Sequence, residues 1–330
     1  MKAKVLGNRK GRLEELMRKA QEDPVFKEVF EGKKSYFGSI ALEQIVDYQF
    51  PIGNTKCISF GPNGELAVGT AENEIVVFGL DSILGLRTLF SKKPENFDIP
   101  IMGLSYNDNG MHIASFGDDN IIKLYRIEQY IDGINKKLEY KKFKEVANKK
   151  FKNKPACVSF SPNSWRLAVA YAGEEMQIFK VENDSLNLSN YYEICELVAF
   201  GPNGYFVDSF KDYITLHRLG SKGIKEIAHL NMDSLLEDIT SLSFSPDEYI
   251  AVGGYDKNRG YVSFLEVDYE KKKLNKKNFE LKKDNENIST NVLSFENKVN
   301  DVSFSPDKKY LAVCLDSNKI KIYMVKRNEN

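Results

Sequence analysis

The sequence predicts an all-β fold made by repeating one short β unit. Three observations predict it. One phrase recurs six times: an apolar-Ser-Phe run, a turn of the Ser-Pro-Asp or Gly-Pro-Asn-Gly kind, then Leu-Ala-Val or its equivalent. Within each copy apolar and polar residues alternate at period two, the spacing of a half-buried strand. Residues that favour turns separate the runs at matching places.

The copies carry aromatic markers at Phe60, Tyr106, Phe160, Phe200, Phe244 and Phe304, at intervals of 46, 54, 40, 44 and 60 residues. Each begins with a strand, such as Cys57-Ile58-Ser59-Phe60 or Asp301-Val302-Ser303-Phe304. A turn follows, as in Ser161-Pro162-Asn163. Pro presets its first central position, and Asn, Asp or Gly tolerates the left-handed one. The second strand starts at Leu66-Ala67-Val68, Leu167-Ala168-Val169 or Leu311-Ala312-Val313. A second turn carries Glu72-Asn73, Asp118-Asp119-Asn120, Gly173-Glu174 or Asp316-Ser317-Asn318. A third strand ends at Phe78, Tyr125, Phe179, His217, Leu265 or Tyr323, and a less regular segment with room for a fourth leads to the next copy.

The set of six copies is similar to the WD-repeat family of β-propellers, over roughly residues 45–326. The resemblance implies blades of four antiparallel strands, about 40 residues each, set around a channel. The departures are specific. No copy has the Trp-Asp dipeptide, no Gly-His pair precedes the first strands, and Asp119 alone stands at the turn-acid position. The family's His–Ser/Thr–Trp–Asp hydrogen-bond network is therefore absent or reduced, and apolar packing is expected to replace it.

Too little chain follows Tyr323 for another strand. The run 44–50 is expected to supply the outer strand of the last blade and so protect an open edge. The expected architecture is a six-bladed propeller over residues 44–330; a seventh blade would need a hidden copy in the 60-residue interval. Residues 1–43 are expected to form a short helical extension. Leu13, Leu16, Met17 and Ala20 share a helical face, and Asp23-Pro24 reads as the cap of a second helix.

Composition narrows the function. With 47 Lys+Arg against 47 Asp+Glu, the net charge is zero, which disfavours a dedicated DNA-backbone binder. Hydrophobic residues at 42% and charged residues at 28% exclude a disordered polyampholyte and a membrane bundle. The first twenty residues lack the apolar run of a signal peptide, so a cytoplasmic location is expected, with Cys57, Cys157, Cys195 and Cys314 as free thiols. The N-x-Ser sequons at Asn183, Asn187 and Asn287 then carry no meaning.

No phosphate loop, zinc-protease motif or nucleophile elbow occurs, and the three histidines do not form a catalytic set. The expectation is a non-enzymatic scaffold without metal or cofactor. Its partner is expected to be another protein or peptide, bound on the face that carries the second turns, called the top in the family. In register these turns place Phe116, Tyr171, Phe210 and Tyr255 near the channel mouth, among Asp118, Glu174, Asp256 and Asp316. Packing of some of these aromatics between blades is the competing reading. Two lysine runs, nine in 136–154 and seven in 271–283, read as charge-guarded outer edges. They leave a nucleic-acid-associated propeller as one alternative, and a propeller hydrolase is the other. Trp165, in a first turn on the opposite face, is expected to lie partly buried against a neighbouring blade.

Overall fold

The structure, a computed structural model, describes residues 40–50, 54–81, 85–93, 99–131, 138–171, 174–220, 223–232, 237–257, 259–283 and 286–327. All of them belong to one compact unit, Ile40–Arg327. Their strands form six sheets, each the blade of a propeller. From the axis outward, blade 1 is Thr55–Phe60, Glu65–Thr70, Ile75–Asp81 and Gly85–Lys92; blade 2 is Ile101–Tyr106, His112–Gly117, Ile121–Ile131 and Leu138–Lys150. Blade 3 is Pro155–Phe160, Arg166–Tyr171, Glu174–Glu182 and Ser185–Ile194; blade 4 is Leu197–Phe200, Tyr205–Phe210, Tyr213–Gly220 and Gly223–Asn231. Blade 5 starts with Asp238–Phe244, Tyr249–Asp256 and Arg259–Asp268; blade 6 starts with Val299–Phe304, Tyr310–Leu315 and Lys319–Arg327.

The second strands are buried on both faces. Glu65–Thr70 and His112–Gly117 are buried along their whole length, because each blade packs against a neighbour on either side. Such strands lose polar alternation, which is why the repeat reads Leu-Ala-Val there. The first turns share one geometry. Gly64, Gly110, Ser164, Gly204, Glu248 and Lys308 all have positive φ, from 60° to 82°. In five of these turns, blade 4 excepted, that residue's N–H reaches back three positions, as Ser164 N–H to Ser161 O at 2.8 Å. This is a type I turn ending in a left-handed residue, a common hairpin connection.

The innermost strands touch in a closed cycle, blade 6 meeting blade 1. The serine of the repeated phrase makes the links. Its hydroxyl accepts a hydrogen bond from the backbone N–H of the aromatic marker one blade on: Ser59 from Tyr106 (2.9 Å), Ser105 from Phe160 (3.0 Å), Ser159 from Phe200 (3.0 Å), Ser243 from Phe304 (2.9 Å) and Ser303 from Phe60 (3.1 Å). Blade 4 has Ala199 at this position, so the link to Phe244 is missing.

Ile40–Gln49 pairs antiparallel with Lys319–Arg327, joining the two ends of the ring. It begins at Ile40 rather than at residue 44, so residues 40–43, assigned from sequence to a helical extension, are strand. The helices expected within residues 10–31 lie outside the described residues. Among those described, the one helical element is a single 3-10 turn, Pro202–Gly204.

The 60-residue interval holds no further blade. Lys273–Lys276 and Val292–Phe295 lie end to end along Arg259–Asp268 as a split outer strand of blade 5. Between them the chain leaves as a hairpin, Phe279–Lys283 and Glu286–Thr290, and joins blade 6 by pairing parallel with Ile40–Gln49. The closing strand is thus held on both edges over Ile40–Glu43. Leu42 stands opposite Val325 on one side and Leu281 on the other, fully buried, and Phe279 packs edge-on to Phe264 at 4.7 Å. Glu43 pairs with Lys326 and, at 3.6 Å, with Lys282; these cations hold its carboxyl below the usual range.

Candidate functional site

The second turns divide the aromatics read from sequence. Phe116 and Tyr171 are buried in the cluster between blades 2 and 3, where Tyr171 packs on Phe151 at 5.4 Å. They underlie the top face rather than forming its surface. Phe210 is 38% exposed. Tyr255 is half-buried: Lys298 Nζ lies 3.7 Å from its ring centre, and its hydroxyl donates to Asp238 at 3.0 Å. Of the acids, Glu174 and Asp316 are exposed, Asp256 is half-buried, and Asp118 is exposed but paired with Lys154. Asp119 turns inward, 3.6 Å from Lys123, and accepts the N–H of Ile121. Tyr213, absent from the sequence-derived set, is 47% exposed and is the ladder partner of Phe210 across the blade 4 turn. The signal for it was present, an aromatic on each side of Lys211-Asp212.

On the opposite face Trp165 is 67% exposed, not half-buried as expected. Its turn is nonetheless fixed: Trp165 N–H donates to Asn163 and its carbonyl accepts from Val181. Beneath this face His112 Nε2 meets Asp184 at 2.8 Å, and Arg126 meets the other oxygen of Asp184 at 2.8 Å, tying blade 2 to blade 3. These partners hold Asp184 below the usual carboxylate range, with the hydrogen bond from His112 as the largest cause. His217 Nε2 lies 2.8 Å from Asp208, and its Nδ1 lies 3.0 Å from the Tyr192 hydroxyl, all in one blade boundary. Both histidines are thus held in the structure by named partners. No sequence motif announces either cluster, because each joins residues far apart in the chain.

The central channel has a volume of about 330 Å³ and is lined by the innermost strands of all six blades. Two carboxylates line it. Asp301 accepts from Ser241 Oγ at 2.5 Å and from the N–H groups of Ile58 and Val302 at 2.8 Å, bridging blades 5, 6 and 1. Burial pushes it up to about 6 against those hydrogen bonds. Asp108 takes the place held elsewhere by proline in the first turns, and burial pushes it up to about 6 as well. Burial also raises all four thiols, Cys157 and Cys314 to about 12, which leaves them unreactive near neutral pH. Among the described residues no group of three or more His, Cys, Asp or Glu could hold a metal ion. No helix among them is long and apolar enough to cross a membrane.

Most described lysines of the two runs lie in or beside the outer strands Leu138–Lys150 and Lys273–Lys276 and the hairpin strand Phe279–Lys283. In blade 2, Phe143 stacks on Tyr125 at 4.6 Å and Phe151 packs on Phe179, so these interleaved aromatics are half-buried against the core. Lys149 lies over the Phe179 ring at 4.7 Å. In the second run Lys277 pairs with Glu266 at 3.0 Å and Lys282 with Glu43.

The family profile WD40, described as "WD domain, G-beta repeat", matches residues 289–323, which include the first three strands of blade 6 through Tyr323. The chain is a WD-repeat-like β-propeller. No curated protein matches its sequence. WD-repeat propellers generally mediate protein–protein interaction and are typically non-enzymatic. In this propeller the tryptophan of the repeat is replaced by Phe78, Tyr125, Phe179, His217, Leu265 and Tyr323, and Tyr192 of blade 3 joins Asp208 and His217 of blade 4 in a polar cluster.

Proposed function

We propose that this propeller is a non-enzymatic scaffold that captures a protein segment on its top face. The observation that carries the reading is the pair Phe210 and Tyr213. Both rings are exposed on one two-residue turn, and as ladder partners they stand on the same side of the strand pair. Exposed aromatics on a rigid turn lose little freedom on binding and serve well as anchors. Glu174 and Asp256 stand on the two neighbouring second turns, with Asp118 and Asp316 one blade further on either side and Tyr255 beside Asp256. The matching partner is a basic segment that brings an apolar side chain to the Phe210–Tyr213 step. Phe116 and Tyr171 support the face from below. The test is capture from lysate by the immobilised protein, wild type against the Phe210→Ala/Tyr213→Ala double variant. Loss of specific bound proteins at an unchanged melting temperature supports the reading; the same bound set overturns it.

A further inference from the structure

We infer that the ring has one joint, the boundary between blades 4 and 5, where it opens first and where the two blades shift against each other. The innermost strands carry the argument. Each blade can bond the next from two places there: the residue before the aromatic marker, and the residue two before that. At the first place five serines accept a marker N–H, and blade 4 has Ala199. At the second, Cys57 donates to Ile101 O (3.7 Å) and Cys157 to Val198 O (3.3 Å), while Ser241 accepts from Val302 N–H (3.0 Å) and Asp301 from Ile58 N–H (2.8 Å). Blade 2 has Gly103 at that place, but it keeps the Ser105 link and adds Asn109 N–H to Ser164 Oγ at 3.1 Å. Blade 4 alone carries an apolar side chain at both places, Leu197 and Ala199.

A second feature marks the same boundary. The innermost strand of blade 4, Leu197–Phe200, has 4 residues, where those of the other blades have 6 or 7. Apolar contact holds the boundary instead: Val207, Ile214 and Leu216 of blade 4 cluster with Leu242, Ile250 and Val252 of blade 5. Apolar clusters join the other blades too, so what sets this boundary apart is the lack of directional bonds on its inner ring. Burial of apolar surface is non-directional, and packed elements held by it slide in small steps, the shear class of motion. At each of the other five boundaries the same shift breaks at least one inner-ring hydrogen bond. Movement here changes the spacing between the blade 4 turn with Phe210 and Tyr213 and the blade 5 turn with Tyr255 and Asp256. That consequence rests on the top-face reading; the joint itself does not.

A buried thiol reports the opening. Ser209 is 1% exposed, stands opposite Leu197 and lies two residues along its strand from Val207, on the side toward blade 5. Cys314 holds the equivalent place in blade 6, opposite Asp301, at the boundary with blade 1. The full chain carrying Ser209→Cys is treated with N-ethylmaleimide under native conditions, and each thiol is followed by mass spectrometry. The introduced thiol should react about tenfold faster than Cys314, and adding Ala199→Ser should slow it about fivefold, the effect of one hydrogen bond, while Cys314 keeps its rate. An introduced thiol no faster than Cys314, or one that Ala199→Ser leaves unchanged, overturns the joint. Amide exchange decides the matter without the cysteine variant. In the wild type the ladder amides of Leu197–Phe200 and Asp238–Phe244 should exchange faster than those of Thr55–Phe60 and Val299–Phe304, and Ala199→Ser should slow both strands together; equal rates overturn it. Loss of the captured proteins in the lysate test bears on the top face alone and leaves these rates untouched, so the two readings fail separately.

Discussion

The hydroxyl of Ser59 accepts a hydrogen bond from the backbone N–H of Tyr106, 2.9 Å away and one blade further round the ring. Four other serines repeat this bond, so the repeated phrase encodes contact between blades as well as structure within each. The belt is broken only between Ala199 and Phe244, where a methyl replaces the hydroxyl.

Completing the belt should stabilise the ring. Ala199→Ser is expected to add about 1 kcal/mol, the net worth of a buried hydrogen bond. The reverse change, Ser105→Ala, leaves the Phe160 N–H without its partner and should cost about 1–3 kcal/mol. Denaturant midpoints at constant m-value read both.

The first turns separate backbone strain from packing. Gly64 sits at φ +82° with nothing within 4 Å of an added Cβ, so Gly64→Ala should cost about 1 kcal/mol from conformation alone. Glu248 occupies the equivalent position at φ +74°, and Glu248→Gly should stabilise by up to about 1 kcal/mol. A Glu248→Gly protein that melts lower would contradict this account.

The closing strand concentrates its hold at Leu42. Leu42→Ala removes a fully buried side chain between two partner strands and should cost about 2–5 kcal/mol. Ile45 on the same strand is 38% exposed, and Ile45→Ala should cost well under half of that, roughly 0.5 kcal/mol. Amide exchange over residues 40–49 should quicken in the first variant and not in the second.

Asp301 gives a pH dependence of fixed sign. Its folded value of about 6 lies above that of an ordinary unfolded Asp, about 4, so the folded state binds more protons between these values. Stability therefore falls as pH rises from about 4 to about 6, and Asp108 acts in the same direction. Asp301→Asn should flatten that slope, measured as unfolding free energy across the window. An unchanged slope in Asp301→Asn/Asp108→Asn together would show that neither carboxylate is its source.

Legibility from sequence followed the range of the physics. The turn at Ser161-Pro162-Asn163-Ser164 could be read because its geometry is set by four adjacent residues, and the six copies confirmed one another. The same register named Phe116, Tyr171, Phe210 and Tyr255 together but could not sort them. Whether a ring lies between blades or on the surface depends on what the adjacent blade brings: Phe151 covers Tyr171, while Phe210 stays 38% exposed. Trp165 follows the same rule: its burial depends on what a neighbouring blade brings, and it is 67% exposed.

By itself the sequence determined that this chain is a ring of repeated β units and where each strand and turn of the repeat falls, because strand period and turn chemistry are local properties. Only the tertiary structure decided which serine reaches which blade and how the hairpin strands Phe279–Lys283 and Glu286–Thr290 leave blade 5 to brace the closing strand. Those outcomes join residues as far apart as Leu42 and Leu281. They are fixed by burial of apolar surface and pairing of strand edges, which act across space rather than along the chain.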